Sequence, residues 1–137
     1  MKIVICGSVT FVNEIIDIKK QLEKMGHIAI PPHNFSLYAE GLLTPELKEE
    51  STENKIKDDL IRGHFNAIKE SDAILAVNKN KNNIQNYIGG NTFLEIGFAH
   101  VLNKKIFLLN LIPEMPYSDE IKAMLPIIIN GDLTKIN

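Results

Sequence analysis

Three polar clusters in the chain hold the residue types that could do chemistry. Gly7-Ser8-Val9-Thr10 follows a short apolar run. Its glycine lets the backbone approach a ligand, Ser8 and Thr10 offer hydroxyls, and free N–H groups at a helix start favour an anion, so a phosphate or a ribose hydroxyl fits there. Asn78 closes a second apolar run and brings an amide. The third cluster runs from Gly89, Gly90 and Asn91 to Glu95. Glu95 has Phe93, Leu94, Ile96, Phe98 and Ala99 around it, and a carboxylate among apolar side chains is costly unless it is paired or used. It is expected near the first turn of a helix that opens after the Gly-Gly pair, where the helix dipole favours the ionised form. A surface glutamate on an amphipathic helix is the plainer alternative, and the apolar residues on both sides of Glu95 speak against it. Asp72 begins an apolar run rather than ending one, and also reads as a turn residue in Glu70-Ser71-Asp72.

Several chemistries are absent from the sequence. Neither G-x-G-x-x-G nor G-x-x-x-x-G-K-[ST] occurs, so a dinucleotide fingerprint and a P-loop are unsupported. There is no H-E-x-x-H, no C-x-x-C and no carboxylate cluster suited to a cation, and His27, His33 and His100 have no metal-ligand spacing. No G-x-S-x-G elbow offers a serine nucleophile. Cys6 lies in an apolar run and reads as an inert core thiol, and His64 as a packed or half-exposed histidine. The expectation is no metal and no cofactor.

The elements that must position these groups follow from periodicity. Lys2–Cys6 is a β-branched run ended by Gly7-Ser8, which predicts a buried strand and a tight turn. Val12, Ile15, Ile16, Ile18, Leu22 and Met25 predict a helix over 12–25 that Gly26 stops. His27–Ile30 then makes a second strand, and strand, helix, strand within thirty residues is a parallel unit with a right-handed crossover. An irregular stretch over 31–44, a helix opening at Thr44-Pro45 and a densely charged segment over 48–59, read as a solvated helix or a mobile lid, follow. Leu60, Ile61, Phe65 and Ile68 give a narrow apolar helix face. Ala73–Val77 is the third strand, 78–87 a polar loop, 90–102 a helix, Lys104–Leu109 the fourth strand, 118–124 a short helix and Pro126–Ile129 the fifth strand. The pattern is a three-layer α/β domain with a five-stranded parallel sheet, spanning 1–137 as one unit. Open parallel sheets bind ligands at the carboxyl ends of their strands, where Ser8, Asn78 and the Gly89–Glu95 segment converge.

Composition bounds the partners. Apolar residues make up 45% and charged residues 23% of the 137, which is globular rather than disordered. A net charge of −2 provides no basic field for nucleic acid or a membrane surface. No apolar run reaches the length of a membrane span. One cysteine excludes an intrachain disulfide and suits a reducing, cytoplasmic setting.

Four segments in order, Ile3–Ser8, Ser71–Val77, Gly90–Ala99 and Lys104–Leu109, resemble the nucleoside 2-deoxyribosyltransferase superfamily, including its 2′-deoxynucleoside 5′-phosphate N-hydrolase branch. The resemblance runs from residue 2 to about 110, and its most specific element is Glu95-Ile96-Gly97-Phe98-Ala99. It implies a flavodoxin/Rossmann-like doubly wound fold and cleavage of the N-glycosidic bond of a nucleoside or its 5′-monophosphate. The sugar then passes to another base or to water. It implies Glu95 as the nucleophile that forms a glycosyl intermediate, Asp72 near the base, Gly7 and Ser8 at the sugar and its 5′ substituent, and a homodimer whose subunits complete each other's sites. Independently of the resemblance, Phe98, Val101 and Leu102 on the helix after Glu95 are candidates for part of a subunit contact. Many relatives carry an aspartate in the glycine turn where this chain has Gly90-Asn91, and the hydrolase branch tends to have an arginine and further glycines where it has Val9-Thr10-Phe11. The first departure keeps a non-catalytic nucleotide-binding or sensory domain as an alternative. The turn from Ile88 to Glu95 also resembles that of the lysine-decarboxylase-like phosphoribohydrolases, which cleave the same kind of bond. A receiver-like domain would need acidic residues where Cys6-Gly7-Ser8 stands.

Overall fold

Ile3, Val4, Ile5 and Cys6 are all buried, and so are Ala73, Ile74, Leu75 and Ala76. Strands apolar on both faces are what a parallel sheet covered by helices requires. The computed structural model describes residues 1–33, 35 and 59–137. Five strands, β1 (Lys2–Cys6), β2 (Ile28–Ile30), β3 (Ala73–Ala76), β4 (Lys105–Leu108) and β5 (Ile127–Ile128), form one sheet. Its order is β2-β1-β3-β4-β5, and every pairing is parallel. This is the flavodoxin-like strand order, in keeping with the fold that the resemblance implies. The edge strands expose apolar residues, Ile28 on β2 and Ile127 on β5, while the apolar residues of the central strands are buried.

Helices cover both faces. Alternation along β1 sends Ile3 and Ile5 to one side and Val4 and Cys6 to the other. Ile3 and Ile5 pack with Ile15 and Leu22 of α1 (Val12–Lys24), and with Leu133 and Ile136 near the C-terminus. Val4 and Cys6 pack with Ile68 of α2 (Leu60–Lys69), Ile96 and Ala99 of α3 (Gly90–Val101) and Ile121 of α4 (Ser118–Ala123). Gly26 ends the chain's first helix with φ 92°, a left-handed position that glycine adopts without strain. The irregular stretch expected over 31–44, the helix expected at Thr44 and the charged segment over 48–59 lie outside the described residues except at their ends.

The chain leaves β1 toward β2 on one side and returns to β3 on the other. The reversal falls between β1 and β3, and in such sheets the crevice outside the carboxyl ends at that point is where ligands sit.

Candidate active site

A cavity of about 200 Å³ opens at the β1/β3 switch point, on the scale of one small molecule. Gly7 and Val77, the residues that follow β1 and β3, form part of its wall. The turn at Gly7 is tight because it has to be. A Cβ there would stand 3.0 Å from Ile15 Cδ1 and 3.4 Å from Val77 Cβ, so a side chain would push α1 or β3 away. Ser8 begins a 3₁₀ turn, Val9–Phe11, that leads into α1. Its Oγ accepts from Thr10 N at 3.2 Å and donates to Thr10 Oγ1 at 3.2 Å. The two hydroxyls expected to meet a ligand therefore bond to each other, and of the pair only Ser8 lines the cavity.

The opposite wall is the start of α3. Gly89, Gly90, Asn91, Thr92 and Glu95 all line the cavity. The helix is capped by Gly89 with no side-chain hydrogen bond. Tyr117 fixes this end: its hydroxyl donates to Ile88 O, and its ring stacks on Phe93 with centroids 4.5 Å apart. Burial, and the neighbouring Tyr87, push the Tyr117 hydroxyl above its ordinary pKa, so it remains a donor. A Cβ on Gly89 would meet the Tyr87 ring at 3.2 Å, whereas one on Gly90 meets nothing within 4 Å.

Glu95 lies one turn further into the helix than its sequence suggests. Counting from Gly90, it stands in the second turn, where the first-turn dipole benefit has faded. What surrounds it is side chains. It is 8% exposed, and its Oε1 lies 3.4 Å from Nδ1 of His64 on α2. Cys6, beneath it at the end of β1, is pushed well above the ordinary thiol pKa, first by burial and then by the negative charge of Glu95 and a hydrogen bond with it. Phe65 and Phe98 lock α2 to α3 in an edge-to-face contact, centroids 5.4 Å apart, one residue from His64. The carboxylate is thus held by three elements and open to the cavity on its remaining side.

Three of the expected site residues stand outside the cavity wall. Asp72 lies at the amino edge of β3, the opposite edge of the sheet from the cavity. Its Oδ2 accepts from Lys2 N at 2.7 Å, and its backbone pairs with Lys2 and Lys105. The expectation that it sits near the base is corrected: a residue that begins a parallel strand cannot face a crevice at the strand's far end. Asn78 follows β3 on the correct edge, but it is fully buried and spent on structure. Its Nδ2 donates to Asn110 O and Leu111 O at 3.1 and 2.9 Å, and its Oδ1 accepts from Asn110 N at 2.9 Å. It ties the end of β3 to the end of β4 and does not line the cavity. Thr10, exposed and bonded to Ser8, does not line it either.

Sequence reasoning missed His64, Lys81 and Tyr87, all on the cavity wall. For His64 a signal existed. Leu60 and Ile68 are the buried residues of α2, and His64 lies at the spacing between them, in the middle of the buried stripe. Among the described residues no group of three His, Cys, Asp or Glu could hold a metal.

No protein-family model and no curated protein matches the sequence. Solved structures do match the fold. One is a 2-deoxyribosyltransferase from Bacillus psychrosaccharolyticus, at 20% identity and a TM-score of 0.55, over 79% of this chain and 71% of that one. Another is a CMP N-glycosidase from Clostridium botulinum, at 20% identity and a TM-score of 0.56, over 95% of this chain and 90% of that one. This chain has their fold. The fold implied by the sequence resemblance is therefore the one found.

Proposed function

We propose that residues 1–137 are a nucleoside 2-deoxyribosyltransferase-like domain that cleaves the N-glycosidic bond of a nucleoside or its 5′-monophosphate. The observation that carries this reading is Glu95: a nearly buried carboxylate facing a small-molecule cavity, at the switch point of a fold found in a deoxyribosyltransferase and in an N-glycosidase.

In this reading a Glu95 carboxylate oxygen attacks C1′ and forms a glycosyl ester. The C1′–N bond breaks with its electron pair going to the base nitrogen, which takes up a proton as the base leaves. The transition state has oxocarbenium character, and an adjacent carboxylate stabilises it. Water or an acceptor base then attacks C1′ and loses a proton, and the Glu95 carboxylate departs. Two inversions give net retention. Among the described residues of the cavity wall Glu95 is the only carboxylate, and it is therefore the nucleophile of this reading. His64, 3.4 Å from Glu95, is a group able to carry the base's proton. The reading includes a homodimer through α3, whose Leu94 and Val101 are exposed apolar residues, and a cytoplasmic setting in keeping with a single buried thiol.

The test is base release from a panel of nucleosides and their 5′-monophosphates, with and without an acceptor base. Release should occur in the wild type and fall by at least about a thousandfold in Glu95→Ala. Acceptor dependence separates transfer from hydrolysis. Ligand-induced stabilisation with no release from any substrate would support a binding module instead. That second reading is favoured by the absence of an acid at Gly90-Asn91.

A further inference from the structure

The cavity wall holds a second formal charge besides Glu95. Lys81 comes from the connection between β3 and α3 and lines the same cavity. Its Nζ donates to Ser8 Oγ at 2.8 Å and lies 5.8 Å from the centre of the Tyr87 ring. An ammonium has three donors, and Ser8 takes one. The ring face attracts the cation but gives it no anionic acceptor. Among the described residues no carboxylate lies within ion-pair distance of it. A part-buried ammonium resting on neutral groups has given up hydration without gaining a counter-charge, and an anion entering the cavity would restore the balance.

The backbone fixes the position of this lysine. Asn82 and Asn83 have φ 53° and 59°, the left-handed pair that a two-residue hairpin turn of the primed type needs. Lys81 and Ile84 exchange both backbone hydrogen bonds across it, at 3.1 and 2.9 Å. Tyr87 N donates to Lys79 O at 2.9 Å and closes the loop behind. Ser8, which receives the ammonium, is itself held by the turn it caps. Two separately anchored loops thus meet at Lys81 Nζ.

Resting on the N-glycosidic reading above, we propose that Lys81 binds the phosphate of the substrate, which is therefore a nucleoside 5′-monophosphate rather than a free nucleoside. Glu95 and Lys81 line one cavity of about 200 Å³, so a single small molecule meets both. Its sugar carbon takes the Glu95 side and its phosphomonoester the Lys81–Ser8 side. Arg62 plays no part in this: it is exposed and paired with Asp59.

The test is equilibrium titration of Glu95→Gln protein, in which bound nucleotide is not consumed, with ribo- and deoxynucleosides, their 5′-monophosphates and inorganic phosphate. For the base that binds best, the monophosphate should bind at least about tenfold tighter than the nucleoside. That ratio should fall toward one when Lys81→Met is added and recover in part with Lys81→Arg. Without any Lys81 variant, raising KCl from about 50 to about 300 mM should weaken the monophosphate and leave the nucleoside little changed. A ratio near one at the outset, a ratio that survives Lys81→Met in folded protein, inorganic phosphate binding as tightly as the nucleotide, or no binding of either ligand would each overturn the assignment. Wild-type protein that releases base equally fast from nucleosides and monophosphates would overturn it and leave the N-glycosidic reading intact. Lysine-dependent binding of the monophosphate with no base release would do the reverse.

Discussion

His64 Nδ1 lies 3.4 Å from Glu95 Oε1, although the two residues sit on different helices and 31 positions apart, between α2 and α3. The pairing depends on the Phe65–Phe98 contact next to it, which fixes how the helices approach. An imidazole at that distance orients the carboxylate and can exchange a proton near it. His64→Gln keeps a polar side chain of similar reach and removes the titrating ring. We expect kcat for base release to fall by about ten- to a hundredfold, with KM changed far less and the pH dependence of kcat altered in shape. Rates measured over pH for both proteins check this; an unchanged profile and rate would leave His64 a packing residue.

Asp72 and Asn78 make opposite predictions to the ones their sequence positions suggest. Asp72→Asn retains an oxygen that can accept from Lys2 N, and it is remote from the cavity, so activity should stay within about twofold of wild type. Asn78→Ala removes a fully buried amide and takes their partner from the part-buried Asn110 N–H and the Asn110 and Leu111 carbonyls. It should cost about 2–4 kcal/mol of stability, read from urea midpoints, while the folded fraction keeps its affinity for ligand. Loss of activity in Asp72→Asn without loss of stability would restore that residue to the site.

The fold was legible because its strongest signals are local. Ile3–Cys6 and Ala73–Ala76 are uninterrupted apolar runs, Gly26 marks a helix end, and short strands separated by helices leave few topologies. Glu95 was legible for the same reason, as a carboxylate misfit among apolar neighbours. What the sequence hid is where each polar side chain spends its hydrogen bonds. Asn78 and Ser8 both belong to the correct edge of the sheet, yet one is consumed by the β4 end and the other by Thr10 and Lys81. Lys81 was hidden in a polar loop, where a lysine is ordinarily solvated. Only the Asn82-Asn83 turn, which sends it back toward β1, makes it a cavity residue.

Two of the three glycines of the wall, Gly7 and Gly90, differ in what they tolerate. Gly7→Ala sets a Cβ 3.0 Å from Ile15 Cδ1, a side chain with no exposed surface, and 3.4 Å from Val77. It should destabilise by about 1–3 kcal/mol, because the packed core cannot give way freely. Gly90→Ala adds its methyl to open space at the start of α3 and should change stability by less than about 0.5 kcal/mol. Thermal or urea unfolding of the two variants side by side checks the contrast; equal costs would mean that Gly7 is not a contact point between turn, helix and strand.

Cys6 carries the pH prediction. Its thiol is raised well above the ordinary value by burial and by Glu95, so the folded protein keeps it neutral where the unfolded chain would ionise it. A group whose pKa is higher in the folded state stabilises fully below the unfolded pKa, and that contribution disappears as pH rises toward the folded value. The window therefore opens near the unperturbed thiol pKa of about 8.5 and extends upward. Wild-type stability should decline from about pH 8 to about pH 10, and Cys6→Ala should decline less over the same range, from a lower start because a buried sulfur is lost. Urea midpoints at three or four pH values read the two slopes. Parallel slopes would mean that Cys6 does not titrate differently in the folded and unfolded states. Thiol labelling gives a second measure: the folded protein should resist an aromatic disulfide reagent at pH 8 and react at once in denaturant, since the thiolate is the reactive form and burial denies it.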